Sequence, residues 1–235
     1  MVGVGMMSRR EYFFSKQETL LVTLSQNIAR NLEEAIKNKG SASLLVSGGS
    51  TPKALFKKLR KIPLAWDKVT IGLCDERWVD NEHKDSNAHL VQEVLMKDEA
   101  RFARFVGMYN NEQENSLAEA LCSEKLKAEL FPFDVVVLGM GTDAHTASLF
   151  PNNERLAEAF SSEELCITIE PTTAAHKRMS LTLNAILSAK NIYLHFEGKE
   201  KRVVYEEALS GEDKESMPIR AILNQKIKNI EVYYK

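Results

Sequence analysis

The stretch "DVVVLGMGTDAHTASLFP", residues 134–151, decides the reading of the whole chain. Val135, Val136, Val137 and Leu138 form an unbroken apolar run, the pattern of a strand buried on both faces. It opens at once into Gly139 and Gly141, then Thr142, Asp143, His145, Thr146 and Ser148, before Phe150 and Pro151 close the segment. Strands covered on both faces belong to parallel sheets of α/β proteins. In such sheets ligands bind beyond the carboxyl ends of the strands, so polar groups placed there are candidates for a site.

Working outward, apolar runs and helical patterns alternate. Leu20, Leu21, Leu24, Ile28, Leu32 and Ile36 recur at helical spacing, with Gly40 as a stop. "SLLVS" reads as a strand, and "TPKALFKKLR" as a helix with Thr51 as cap and Pro52 in the first helical position. "KVTIGLCDE" is a strand, "SNAHLVQEVLM" a helix, "FVGMYN" a further strand and "SLAEALCSEKLKAEL" a longer helix. After the central run come "LCITIE", "RMSLTL" and "NIYLHFE" as strands, the helices "KEKRVVYEEAL" and "PIRAILNQ", and a last strand "IEVYY". The expectation is a doubly wound α/β fold, Rossmann-like, with a mostly parallel sheet flanked by helices. No repeat or linker divides the chain, so one domain is expected over residues 1–235.

Composition narrows the class. With 44% hydrophobic residues, 27% charged and a net charge of −2, the chain carries neither a basic stripe nor an acidic tail, so no nucleic-acid or membrane partner is expected. Cys74, Cys122 and Cys166 are odd in number and widely spaced, which fits reduced thiols in the cytoplasm. In "MVGVGMMSRR" the arginines follow the short apolar run, so neither a signal peptide nor a membrane span is expected there. No Cys, His and Asp spacing matches a metal-ligand set, so neither metal nor cofactor is expected.

Three strand ends carry chemistry. In "VSGGSTPKAL", Gly48 and Gly49 let the backbone approach a ligand closely. The free N–H groups of the helix start, with the Ser50 and Thr51 hydroxyls, suit an anion such as phosphate. The Walker lysine is missing, so this is no nucleotide P-loop; the bland alternative is a tight turn with a capped helix. "GMGTDA" matches the dinucleotide fingerprint, with Glu170 as the ribose acid, but it sits past the middle of the chain and Pro151 cuts its helix short. His145 is the better use of that loop, because imidazole titrates near neutrality and exchanges protons with water and a leaving oxygen. Asp143 would fix its tautomer or contact substrate. His89 on a helix face, His195 inside a strand, and His83 and His176 in polar loops read as structural or solvated residues. Arg77, in "DERW", is placed to grip phosphate or carboxylate, against the alternative of an ion-paired surface loop. Arg178 and Lys201 are further cations able to join it.

Taken together these residues resemble the 6-phosphogluconolactonases, within the wider family shared with glucosamine-6-phosphate isomerase/deaminase. The likeness runs from about Ser43 to Leu209 through "SGGSTP", "CDERWV" followed by "DSN", "GMGTDAHTASLFP", "RMSLTLNAIL" and "GKEKRVVYEEAL", in the family's order. The resemblance implies hydrolysis of 6-phospho-D-glucono-1,5-lactone in the oxidative pentose phosphate pathway. It implies a sugar-phosphate lactone as the small-molecule partner, a phosphate site of the glycine loop with Arg178 and Lys201, and His145 as base. The oxyanion would fall to backbone N–H groups or Arg77. The family usually has Asp-Gly-His where this chain has Ala144, which would be strained by about 1 kcal/mol or more if the position needs positive φ. Asp80 stands where the family often has proline, a surface change of little weight. Alternatives are the sister deaminase and a non-catalytic sugar-phosphate sensor. The deaminases carry a glutamate five positions after the histidine, where this chain has Phe150.

Overall fold

Helices and strands alternate along a computed structural model that describes residues 9–235. The N-terminal segment discussed above lies outside the described residues apart from Arg9 and Arg10. Among the described residues no helix is long and apolar enough to cross a membrane. β1 (Arg9–Phe13) leads into α1 (Gln17–Lys39), whose Leu20, Leu24, Ile28 and Leu32 form one fully buried stripe. Gly40 ends α1 at φ 83°, its N–H donating to the Ile36 carbonyl at 2.8 Å. β2 (Ala42–Val46) and α2 (Ser50–Leu59) follow, then β3 (Val69–Leu73) and the short β4 (Asp75–Arg77). α3 (Asn87–Leu90) passes into a π-helical turn over Val91–Leu95. Next come β5 (Arg104–Phe105), α4 (Asn115–Glu129), β6 (Val135–Leu138), α5 (Leu156–Ser161), β7 (Cys166–Ile169) and β8 (Arg178–Leu181). α6 (Leu183–Ser188), β9 (Asn191–Phe196), α7 (Lys199–Leu209), α8 (Arg220–Leu223) and β10 (Ile230–Tyr234) complete the order.

Seven strands form one parallel sheet in the order β1-β10-β9-β6-β2-β3-β5, with helices on both sides. β2 and β6 lie side by side within it, and every residue of both is buried, which is why neither shows polar alternation. From β2 the chain winds through β3 to β5; from β6 it winds the opposite way through β9 to β10. The direction reverses between β2 and β6, and their carboxyl ends bound the crevice where such sheets bind ligands.

Several expectations need correction. "KVTIGLCDE" does not run as one strand. Cys74 leaves the sheet: its N–H donates to the Val46 carbonyl and its own carbonyl accepts from the Leu181 N–H, both at 2.9 Å. That residue joins the parallel sheet to a second, antiparallel one in the order β4-β8-β7, which takes "RMSLTL" and "LCITIE" out of the parallel sheet. α2 starts at Ser50, with Gly49 rather than Thr51 in the cap position. "FVGMYN" adds only Phe105 to a two-residue strand, and the helix of "PIRAILNQ" begins at Arg220, after its proline. After Gly141 there are turns and a Thr146–Leu149 bridge, and the next helix begins only at Leu156.

Candidate active site

The crevice at the reversal is a cleft of about 260 Å³. Gly48, Gly49, Ser50 and Thr51 from the end of β2 line it, with Asp75, Arg77, Asn87, Gly139, Gly141, His145, His195 and Lys201. Gly49, at φ 101°, turns the chain into α2 and offers no side-chain cap, so the first-turn N–H groups of α2 are left for another acceptor. Gly48 answers to a different demand. A Cβ there would stand 1.8 Å from Asn87 Oδ1, so its smallness makes room for Asn87 as well as for any ligand.

His145 is held between Asp143 and Phe150. Asp143 Oδ1 lies 2.6 Å from His145 Nδ1 and also accepts the His145 backbone N–H at 3.1 Å. Burial pushes the Asp143 carboxyl up, but the hydrogen bond and charge of His145 outweigh it and leave it below its usual value. An ionised Asp143 makes Nδ1 the donor, so the Nε2 lone pair is the free one. The loop is fastened by the Gly141 N–H to the His145 carbonyl at 2.9 Å and by Thr146 Oγ1 to the Gly139 carbonyl at 2.8 Å. Phe150 packs its ring 4.6 Å from the imidazole, centroid to centroid. Ser148 Oγ donates to Asp75 Oδ2 at 2.6 Å, tying the loop to the start of β4. Ala144 adopts φ 67°, the left-handed conformation that makes the expected strain real.

Cations meet this loop from two sides. Lys201, on the first turn of α7, reaches the cleft half-buried; burial pushes its ammonium below the ordinary lysine value, and Glu197 and Glu200 oppose that only in part. Arg77 lines the cleft and donates through Nη1 to the Asp85 carbonyl. Arg178 does not line it but is the register partner of Arg77 across β4 and β8. Its Nε and Nη1 are buried without a hydrogen-bond partner, and burial and the Arg77 charge push its pKa down.

Other residues were not legible as site members. His195, read as a strand residue, also faces the cleft, with Nε2 3.1 Å from Glu197 Oε1. Asn87 lines it through a contact 12 residues removed, its Nδ2 donating to the Asp75 carbonyl at 2.8 Å. Glu76 is a clamp. Its carboxylate, wholly buried, accepts from the N–H groups of Arg77, Asn87 and Ala88 and from Ser86 Oγ. The loop histidines His83 and His176 are not merely solvated, since both approach Asp85.

The family model described as glucosamine-6-phosphate isomerases/6-phosphogluconolactonase matches residues 15–231. A 6-phosphogluconolactonase of Rhizobium meliloti is 40% identical over 97% of this chain and 99% of its own length. One of Pseudomonas putida is 43% identical over 88% and 86%. Among solved structures, a 6-phosphogluconolactonase of Shewanella baltica superposes with a TM-score of 0.92 at 42% identity, covering 95% of this chain and 96% of the other.

Proposed function

The chain belongs to the glucosamine-6-phosphate isomerase/6-phosphogluconolactonase family, and from that premise we propose that it hydrolyses 6-phospho-D-glucono-1,5-lactone to 6-phospho-D-gluconate. One observation carries the reading: the His145–Asp143 pair shares a cleft with Lys201, Arg77 and an uncapped glycine–hydroxyl loop. The first is equipment for moving a proton and the second for holding an anion.

His145 Nε2 takes a proton from water as the oxygen attacks the lactone C1 and the carbonyl electrons move onto their oxygen. Asp143, hydrogen-bonded to Nδ1, steadies the imidazolium. Arg77 and backbone N–H groups at the cleft stabilise the oxyanion. Collapse of the tetrahedral intermediate breaks the bond from C1 to the ring oxygen, which leaves with the proton from Nε2. Meanwhile the phosphate is gripped by the α2 amino terminus, Ser50, Thr51 and Lys201, with Arg178 behind Arg77.

The sister deamination is disfavoured by Phe150, whose ring packs on His145 and has no proton to give or take. A dinucleotide is disfavoured by the absence of a helix after "GMGTDA" and by a cleft at the small end for ligand sites. The test is a lactone-hydrolysis assay corrected for spontaneous opening, run beside ammonia release from glucosamine 6-phosphate. Rapid lactone turnover without ammonia is the expected outcome. Ammonia release at a matching rate would assign the deaminase instead, and phosphate-dependent binding without turnover would assign a sensor.

A further inference from the structure

His83, Asp85 and His176 bring three metal-capable atoms within 4.8 Å of one another, and none of the three lines the cleft described above. Asp85 Oδ2 stands 3.1 Å from His176 Nε2 and 3.9 Å from His83 Nδ1. Tetrahedral zinc with bonds of about 2.0–2.1 Å places neighbouring ligand atoms a little over 3 Å apart; Asp85 and His176 stand at that spacing, and His83 would have to close in on both. The two rings meet edge to face, with centroids 5.5 Å apart and planes at 77°.

Of the two imidazoles, His176 points Nε2 as a donor at Asp85 Oδ2, 3.1 Å away, a proton that an arriving ion would displace, whereas His83 already offers a lone pair. His83 Nδ1 accepts the Asp85 backbone N–H at 3.1 Å, so this nitrogen carries a lone pair rather than a proton. An ion would take that lone pair from the amide by a small ring rotation. All three side chains are partly exposed, His176 least at 30%, which leaves an entry path and room for a water as fourth ligand.

The group is also held in place from outside. Asp85 receives Arg77 Nη1 at its carbonyl, and the neighbouring Ser86 Oγ donates to the buried Glu76 at 3.0 Å. On the other side, the Lys177 carbonyl accepts the Trp78 N–H at 2.7 Å and Lys177 Nζ lies over the Trp78 ring, fixing the segment that carries His176. Ligands fixed by their own surroundings lose little freedom when an ion arrives.

Ligand chemistry narrows the ion. A single carboxylate beside Lys84 and Arg77 is too little negative charge for calcium or magnesium, which need several hard oxygens. Two imidazoles and one carboxylate instead suit zinc and its borderline neighbours. We propose that His83, Asp85 and His176 form a surface site for a divalent transition metal of the zinc class, with one position open to water. The proposal is independent of the lactonase reading.

The test uses the full chain, stripped with a chelator and titrated with zinc alone against a chromophoric competitor. One equivalent bound with micromolar affinity is expected, unaffected by excess calcium. His83→Ala, Asp85→Asn and His176→Ala should each weaken it by roughly tenfold or more. His145→Ala should retain the equivalent, which separates this site from the cleft. Cobalt as a probe should give visible bands without a thiolate charge-transfer band, since no cysteine is a ligand. No zinc binding by the wild type, or binding that survives all three substitutions, would overturn the proposal. So would a thiolate band, which would move the metal to Cys122 and Cys166, whose sulfurs lie 3.0 Å apart.

Discussion

Arg77 and Arg178 face each other as register partners across β4 and β8, so two guanidinium groups project from the same face of a small sheet. Like charges directly opposite are unfavourable, and Arg178 also keeps two N–H-bearing nitrogens buried without an acceptor. A phosphate that reached the pair would supply both the missing charge and the missing acceptor. Replacing Arg178 with Ala should therefore raise KM for the phosphorylated lactone by roughly tenfold to a hundredfold, the equivalent of about 1.5–3 kcal/mol for one charge-assisted hydrogen bond. The unphosphorylated lactone is the control. Equal damage to both substrates would remove Arg178 from phosphate recognition.

His145→Ala should lose about 10²–10⁴-fold in kcat with little change in KM, because the phosphate end is held by other groups. His145→Gln, which keeps a hydrogen-bonding side chain without a base, should be nearly as slow. The wild-type rate should fall on acidification, as protonation of Nε2 removes the lone pair that accepts the proton. Asp143 lies below its usual carboxylate value and so keeps its charge, and its hold on Nδ1, in mildly acidic medium. Rates at each pH, after subtraction of spontaneous opening, check this. A folded His145→Ala variant that keeps most of its kcat would falsify the mechanism.

Gly141 clears the space that the pair occupies. A Cβ there would stand 2.2 Å from His145 Nδ1 and 2.6 Å from Asp143 Oδ1. Both atoms sit at side-chain ends, so the fold can yield by moving them, and the damage falls on geometry rather than stability. Gly141→Ala should keep a near-normal melting temperature yet lose on the order of 10²-fold in kcat, the usual effect of misplacing a reacting group by about 1 Å. A variant with full kcat would show that the pair need not stand where it does.

Ala144 sets two effects of similar size against each other. Its left-handed backbone costs about 1–2 kcal/mol for a residue with a Cβ, while its buried methyl contributes about 0.8 kcal/mol. Ala144→Gly should thus be neutral or stabilising by up to about 1 kcal/mol in denaturant unfolding. Ala144→Val adds a β-branch at the same φ and should destabilise clearly more. Glycine proving the worse of the two would mean that packing, not backbone strain, governs this position.

Lys201 gives a test at alkaline pH. Its ammonium loses its proton below the ordinary lysine value of about 10.4, chiefly through burial. Binding of 6-phosphogluconate should weaken as pH rises through that lowered value, while the phosphate itself, with a second pKa of about 6, keeps a constant charge. Lys201→Arg should flatten the profile, since guanidinium does not titrate there. Calorimetry across the range decides it; identical profiles for the two proteins would exclude Lys201 from the phosphate site.

The parallel sheet was legible because β6 is a continuous apolar run and β2 departs from one only at Ser43, and the loops that follow them hold residue types with few structural uses. The second sheet was not. Val69 to Leu73 runs on in sequence through Cys74 to Asp75 without a turn signal, and only tertiary contacts show that Cys74 bonds to β2 on one side and β8 on the other. An apolar run announces a strand but not its partner. His195 escaped for a related reason, since strand periodicity describes the faces of a sheet and not the cleft at its edge. His83, Asp85 and His176 could not be grouped by spacing, because 91 residues separate Asp85 from His176.

The joint at Cys74 also divides labour. His145, Lys201 and the glycine loop stand at the edge of the parallel sheet, whereas Arg77 and Arg178 ride on the smaller one. A slight shear between the two sheets would change the span from guanidinium to imidazole without breaking a single strand ladder. Substitutions in the small sheet would therefore re-aim the two arginines while the distance from the glycine loop and Lys201 to His145 stays fixed.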